Sequence, residues 1–124
     1  MRELDDHHDG HGLNEQLQID TDQPDQSGAA HRYLVRYVGV DVLPVEVANI
    51  QFQQGPRNVK GSTPGITEAA LLTVLIDRLR GFQAGPYSCR ENAIQLTKLE
   101  EVLHWTKARA DARAKRGVLG QNIK

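Results

Sequence analysis

The sequence predicts an α+β fold, a small N-terminal antiparallel sheet followed by a C-terminal antiparallel two-helix hairpin. Three observations carry this. Apolar residues between His31 and Gln53 alternate at a period of two, as a half-buried strand requires. Leucines and isoleucines beyond Thr67 recur at helical spacing. Gly85-Pro86 breaks that helical pattern once, so two helices fold back on each other.

Residues 1–30 hold few large apolar side chains and are rich in Asp, Gln, Gly and Ser. Such a composition cannot bury enough surface to offset the entropy of ordering, so a disordered acidic tail is expected there. The stretch carries one base and eight acids, whereas residues 31–124 carry fourteen bases and eight acids. The near-neutral total of −1 therefore hides a basic body suited to anionic partners. His7, His8 and His11 are capable of binding a metal, but no cysteine accompanies them, and a solvated polar tail explains them as well.

Residues 31–66 comprise the strands and the loop that follows. Tyr33, Val35, Tyr37, Val40, Val42, Val45, Val47, Ile50 and Phe52 are interrupted by Gly39, Asp41 and Pro44. The expected strands are 32–38, 40–47 and 48–53. Residues 54–66 form a loop rich in Gly and Pro that carries Arg57 and Lys60. Glycines let a backbone approach a phosphate closely, but the spacing is not that of a nucleotide-triphosphate loop, and a plain connection satisfies the same residues.

The hairpin occupies residues 67–117. Thr67 is a good N-cap, and Leu71, Leu72, Leu75, Ile76 and Leu79 form an apolar stripe in a first helix ending near Gln83. Ser88 and Glu91 have the spacing of a capping box, opening a second helix that runs to Gly117, roughly 42 Å at 1.5 Å per residue. Asn92, Leu96, Leu99, Leu103, Thr106 and Ala110 fall on one seam of it. The shorter first helix cannot cover this length, so the last turns project or meet another chain. Arg109, Arg113 and Arg116 share a face of that end. Cations there also relieve the helix dipole, so a solvated basic tip is the plain alternative.

Four residues suit a nucleotide: Phe82 to stack on a base, Asn92 to hydrogen-bond, and Arg109 and Arg113 to pair with phosphates. Phe82 and Asn92 flank the turn. Asn92 and Arg109 lie about 26 Å apart along one helix, too far for one small ligand. If the four act together, the arginines come from a second, antiparallel copy, and a two-fold dimer makes two identical pockets. Core packing for Phe82 and register fixing for Asn92 remain open on the pattern alone.

Three segments, NIQFQQGPRN (49–58), EAALLTVLIDRLRGFQAGPYSCRENAIQLTKLEEVLHW (68–105) and RADARAKRGVLG (109–120), together resemble the phage Thoeris anti-defence sponge family of the first type, which shares its helical hairpin with phage anti-CBASS sponges. The resemblance runs from Ala48 onward. It implies an N-terminal antiparallel sheet and two C-terminal helices, assembled as a homodimer or, in some members, as a trimer of dimers. It implies sequestration, without degradation, of a cyclic ADP-ribose isomer made by TIR enzymes, and in some members of cyclic di- or trinucleotides in a separate pocket. The family's Phe, Asn and paired Arg fall here on Phe82, Asn92, Arg109 and Arg113. Arg57 and Asn58 are the candidates for the second pocket.

No catalytic residues, cofactor or metal site are expected. Cys89 and His104 both fall within the pattern of the long helix, where packing roles are the ordinary ones. No apolar run approaches the ~20 residues of a membrane span, and the polar N-terminus carries no secretory signal, so a cytoplasmic location in the bacterial host is expected. The alternative function is a nucleic-acid-binding hairpin that uses the Arg109-Arg113-Arg116 face on phosphates, with steep salt dependence; the resemblance argues against a polymeric nucleic-acid partner.

Overall fold

The computed structural model describes residues 1–119 and 123–124. Gly120, the last residue of the basic tail motif, lies outside them. The chain divides into two compact units, Met1–Gly65 and Ile66–Lys124.

The first unit is a four-stranded antiparallel meander in the order β1 (Arg2–Leu4), β2 (Leu17–Thr21), β3 (Arg32–Tyr37), β4 (Val45–Gln51). The α+β fold class expected from the sequence is thus present. The disordered tail expected over residues 1–30 is corrected: half of the sheet comes from that stretch. Leu4 pairs with Ile19 and Arg2 with Thr21, while Ile19 pairs with Val35 and Thr21 with Tyr33. Composition averaged over thirty residues conceals the local alternation of Leu17-Gln18-Ile19-Asp20-Thr21. It also hides what the acids do. Asp20 meets Arg36 across β2 and β3 at 2.9 Å, and the Glu15 carboxylate accepts from the amides of Asp9, Gly10 and Gly12 at 2.6, 3.0 and 2.6 Å. His7 Nε2 donates to the Leu17 carbonyl at 2.7 Å.

These carboxylates give the first unit an acid-sensitive edge. The three amides, that of Gly10 first, draw the Glu15 carboxyl down from 4.5 to about 2. The Ser27 hydroxyl and amide, and then His31, draw Asp25 down to about 2. A carboxyl depressed in the fold stabilises it above the ordinary value, and that contribution disappears as pH falls through the folded value. Loosening of the loop over residues 9–15 is therefore expected between pH 4.5 and about 2. Amide shifts of Gly10 and Gly12 followed by NMR should move over that interval, and Glu15→Gln should remove the transition. Movement centred above pH 5 would contradict the assignment.

Expected strands 40–47 and 48–53 are in fact one strand, Val45–Gln51. Asp41 adopts a left-handed φ of 58° and Pro44 lacks an amide hydrogen, so the chain turns over residues 39–44 and pairs only afterwards. Tyr33 and Phe52 meet edge to face with ring centroids 5.7 Å apart. The Gly-Pro loop is closed upon itself: Gln54 and Thr63 exchange backbone hydrogen bonds of 2.9 and 2.8 Å. Gly65 ends it because a Cβ there would stand 2.3 Å from the Gln51 carbonyl oxygen.

The second unit is the hairpin of α1 (Glu68–Ala84) and α2 (Arg90–Lys115). Thr67 caps α1 as expected, its hydroxyl accepting from the Ala70 amide at 3.1 Å. The cap of α2 falls one residue later than expected. Cys89, not Ser88, occupies the position, and its sulfur accepts from the Asn92 amide at 3.4 Å. The Gln83 side chain decides this: it accepts from the Cys89 amide at 3.0 Å and so ties the end of α1 to the start of α2. At the far end, Gly117 takes a φ of 74°; its amide bonds Ala114 and that of Val118 bonds Arg113, closing the helix as a Schellman motif.

The two helices pack over a thin interior. Ile76 is 2% exposed, whereas Val74, Val102 and Trp105 are 62%, 49% and 65% exposed. Arg80 and Glu100 bridge the helices at 2.8 Å, an exposed pair that contributes at most about 1 kcal/mol. With 26 residues against 17, α2 outruns α1 by roughly 14 Å.

Candidate functional site

Helical periodicity builds a groove between α1 and α2 beside their connecting turn. Leu75, Arg78, Leu79 and Phe82 recur at three- and four-residue intervals and so share one face of α1. Asn92, Gln95 and Leu99 do the same on α2, with Lys98 alongside and Tyr87 contributed by the turn. The groove encloses about 800 Å³, within the range of small-molecule sites. Leucines and aromatics make its floor, two cations and two carboxamides supply its polarity, and none of these lining residues is acidic. Arg78 places its guanidinium 5.0 Å from the centroid of the Phe82 ring. Gln95 donates to the Asn92 carboxamide oxygen at 3.3 Å. Such a site can hold a flat base against Phe82 and attract an anion.

Of the four residues expected to form one pocket, Phe82 and Asn92 line this groove. Arg109 and Arg113 lie on the projecting end of α2. Arg109 is exposed there. Arg113 is 7% exposed, and its guanidinium donates to the carbonyls of Val118, at 2.9 Å, and Ile123. Arg116 donates to the Lys124 carbonyl at 2.7 Å. The basic tip is therefore not three equivalent outward arginines, because two of them hold the chain's own C-terminal carbonyls. Arg57 and Asn58 are exposed on the closed loop of the first unit, where Arg57 donates to the Gly65 carbonyl at 2.8 Å.

Sequence reasoning passed over Arg78, Tyr87, Gln95 and Lys98. Helical spacing held the signal for two of them: Arg78 stands four residues before Phe82, and Gln95 three after Asn92. Cys89 and His104, fifteen positions apart on one helix axis, are separated by about 22 Å and form no nucleophile–base pair within a chain. His104 instead contacts Trp105 edge to face at 5.5 Å.

A four-stranded sheet followed by a helical hairpin with an aromatic, cationic groove at its turn defines a small α+β hairpin protein. The chain belongs to the Acb2/Tad1 hairpin-domain family, whose model matches residues 45–111. It is 40% identical over 79 residues to Thoeris anti-defense 1 of Bacillus phage SBSphiJ7. That match covers 64% of this chain and 55% of the relative, so the chain spans little more than half the relative's length.

Proposed function

We propose that this chain is a phage anti-defence sponge acting in the host cytoplasm, which binds a cyclic nucleotide immune signal and holds it without cleaving it. Its ligand on this reading is the cyclic ADP-ribose isomer made by TIR enzymes, with cyclic di- or trinucleotides of CBASS as further ligands. The observation that carries the reading is that Phe82 and Asn92 line one groove while Arg109, exposed and roughly 26 Å further along α2, cannot reach it within a chain. A second copy lying antiparallel brings Arg109 and Arg113 to each groove and closes it, and enclosure slows release. Family membership and the anti-defence relative support the same reading. Arg113 would exchange neutral carbonyl acceptors for a phosphate, which forms the stronger, charge-assisted bond.

The test is a capture-and-release assay. The protein is incubated with the signal, freed of unbound ligand and heat-denatured, and the released material is analysed. Intact nucleotide supports a sponge; cleaved product identifies an enzyme; no nucleotide removes the reading. The alternative nucleic-acid-binding hairpin needs Arg116 as well, and Arg116 is engaged by the Lys124 carbonyl of its own chain.

Arg57 and Asn58 are assigned to a second pocket for cyclic oligonucleotides. Arg57→Ala is expected to weaken trinucleotide binding about tenfold, the worth of one charge-assisted bond, while leaving retention of the cyclic ADP-ribose isomer unchanged. Since Arg57 also ties down Gly65, thermal melting is measured alongside. Equal losses for both ligands would merge the two sites.

A further inference from the structure

Arg80 and Glu100 pair across the hairpin, but among the described residues Arg78 makes no ion pair. Its guanidinium lies instead against Phe82, 5.0 Å from the ring centroid, and both side chains line the groove. The two are four residues apart on α1, so the helix itself sets this neighbourhood. A guanidinium over a phenyl ring is attracted by the ring's negative face and restricts its rotation. The same plane also stacks on nucleobases, and its charge acts on any phosphate in the groove.

We infer that Arg78 is a positioning residue of the groove: it forms with Phe82 one cation–aromatic platform that holds a nucleobase carried on an anionic ligand. This rests on the proposed function above and adds to it a contribution made within the hairpin itself, separate from the arginines of the second copy. The platform has two parts. Phe82 offers the stacking surface, and Arg78 fixes that surface and places a positive charge beside it. Lys98, on the α2 side of the groove, adds charge, and among the described residues it makes no cation–aromatic contact. The base is therefore stacked at the α1 side.

A double-mutant cycle tests this, with the affinity of the cyclic ADP-ribose isomer measured by calorimetry and folding checked by helicity and thermal melting. Arg78→Met is expected to weaken binding about three- to tenfold, the range of a partly desolvated cation–aromatic contact. In a Phe82→Leu background the same substitution should have little further effect, because the platform is already lost. Arg78→Lys, which keeps the charge without the planar fork, should recover only part of the loss. An undiminished loss in the Phe82→Leu background would show that Arg78 acts on phosphate alone and overturn the platform. Wild-type affinity in Arg78→Met would overturn it as well. Failure of the unmodified protein to bind the isomer would remove the proposed function and this inference together, an outcome distinct from binding without coupling.

Discussion

Mixing a Phe82→Ala chain with an Arg109→Ala chain, each expected to be defective alone, is expected to restore capture of the cyclic ADP-ribose isomer. Each substitution alone is expected to weaken binding substantially. Losing a base stack costs about 1–3 kcal/mol and losing a charge-assisted phosphate bond about 1.5–3 kcal/mol, the latter roughly ten- to a hundredfold in affinity. In a dimer whose pockets combine the turn of one chain with the tip of the other, a mixed pair has one pocket with both defects and one with none. Random exchange makes half of the dimers mixed, so about a quarter of the wild-type sites should return. The chains are unfolded and refolded together, and retained ligand is counted per chain. Wild-type affinity in either single variant contradicts its place in the pocket. Two defective variants with no recovery on mixing contradict the shared pocket while leaving binding within one chain possible. The experiment thus addresses the arrangement as well as the residues.

The sequence holds the hairpin plainly because its signals are local. Thr67 caps α1 through a contact three residues away, Gly117 takes the left-handed conformation that ends α2, and Gly85-Pro86 separates the two. Phe82 and Asn92 could be placed together for the same reason, since both flank that turn. The first strands were illegible because their stabilising partners are remote: Asp20 is explained by Arg36, and Ile19 by Val35. A window over residues 1–30 sees eight acids and no reason for them. The cap of α2 was misplaced by one residue for a related reason. Gln83, on the other helix, fixes Cys89, and the local capping-box pattern at Ser88 contains no trace of it. Arg113 shows the limit within the site. Its spacing marks a basic face, but only the fold shows its guanidinium on the Val118 carbonyl.

Trp105→Glu is expected to separate the copies and abolish capture while both helices persist. Trp105 is 65% exposed on α2, and Val102, one turn before it, is 49% exposed. On α1, Val74 is 62% exposed, so neither helix finds cover for these side chains within the hairpin. Scattered apolar residues on a surface need no explanation, but a large aromatic one turn from an aliphatic, both left uncovered by the partner helix, is suited to an interface. A buried tryptophan at such a contact typically contributes 2 kcal/mol or more, so its loss should weaken association by roughly thirtyfold. The substituted carboxylate would be desolvated on association, which increases the cost. Because Ile76, not Trp105, fills the hairpin interior, circular dichroism should report unchanged helicity. Sedimentation velocity should show the shift to a monomer, and the capture assay the loss of retained nucleotide. If Trp105→Glu associates as the unmodified chain does, Trp105 is not part of a contact between copies. If it is monomeric yet still captures the signal, one groove suffices and the arginines of a second copy are not required.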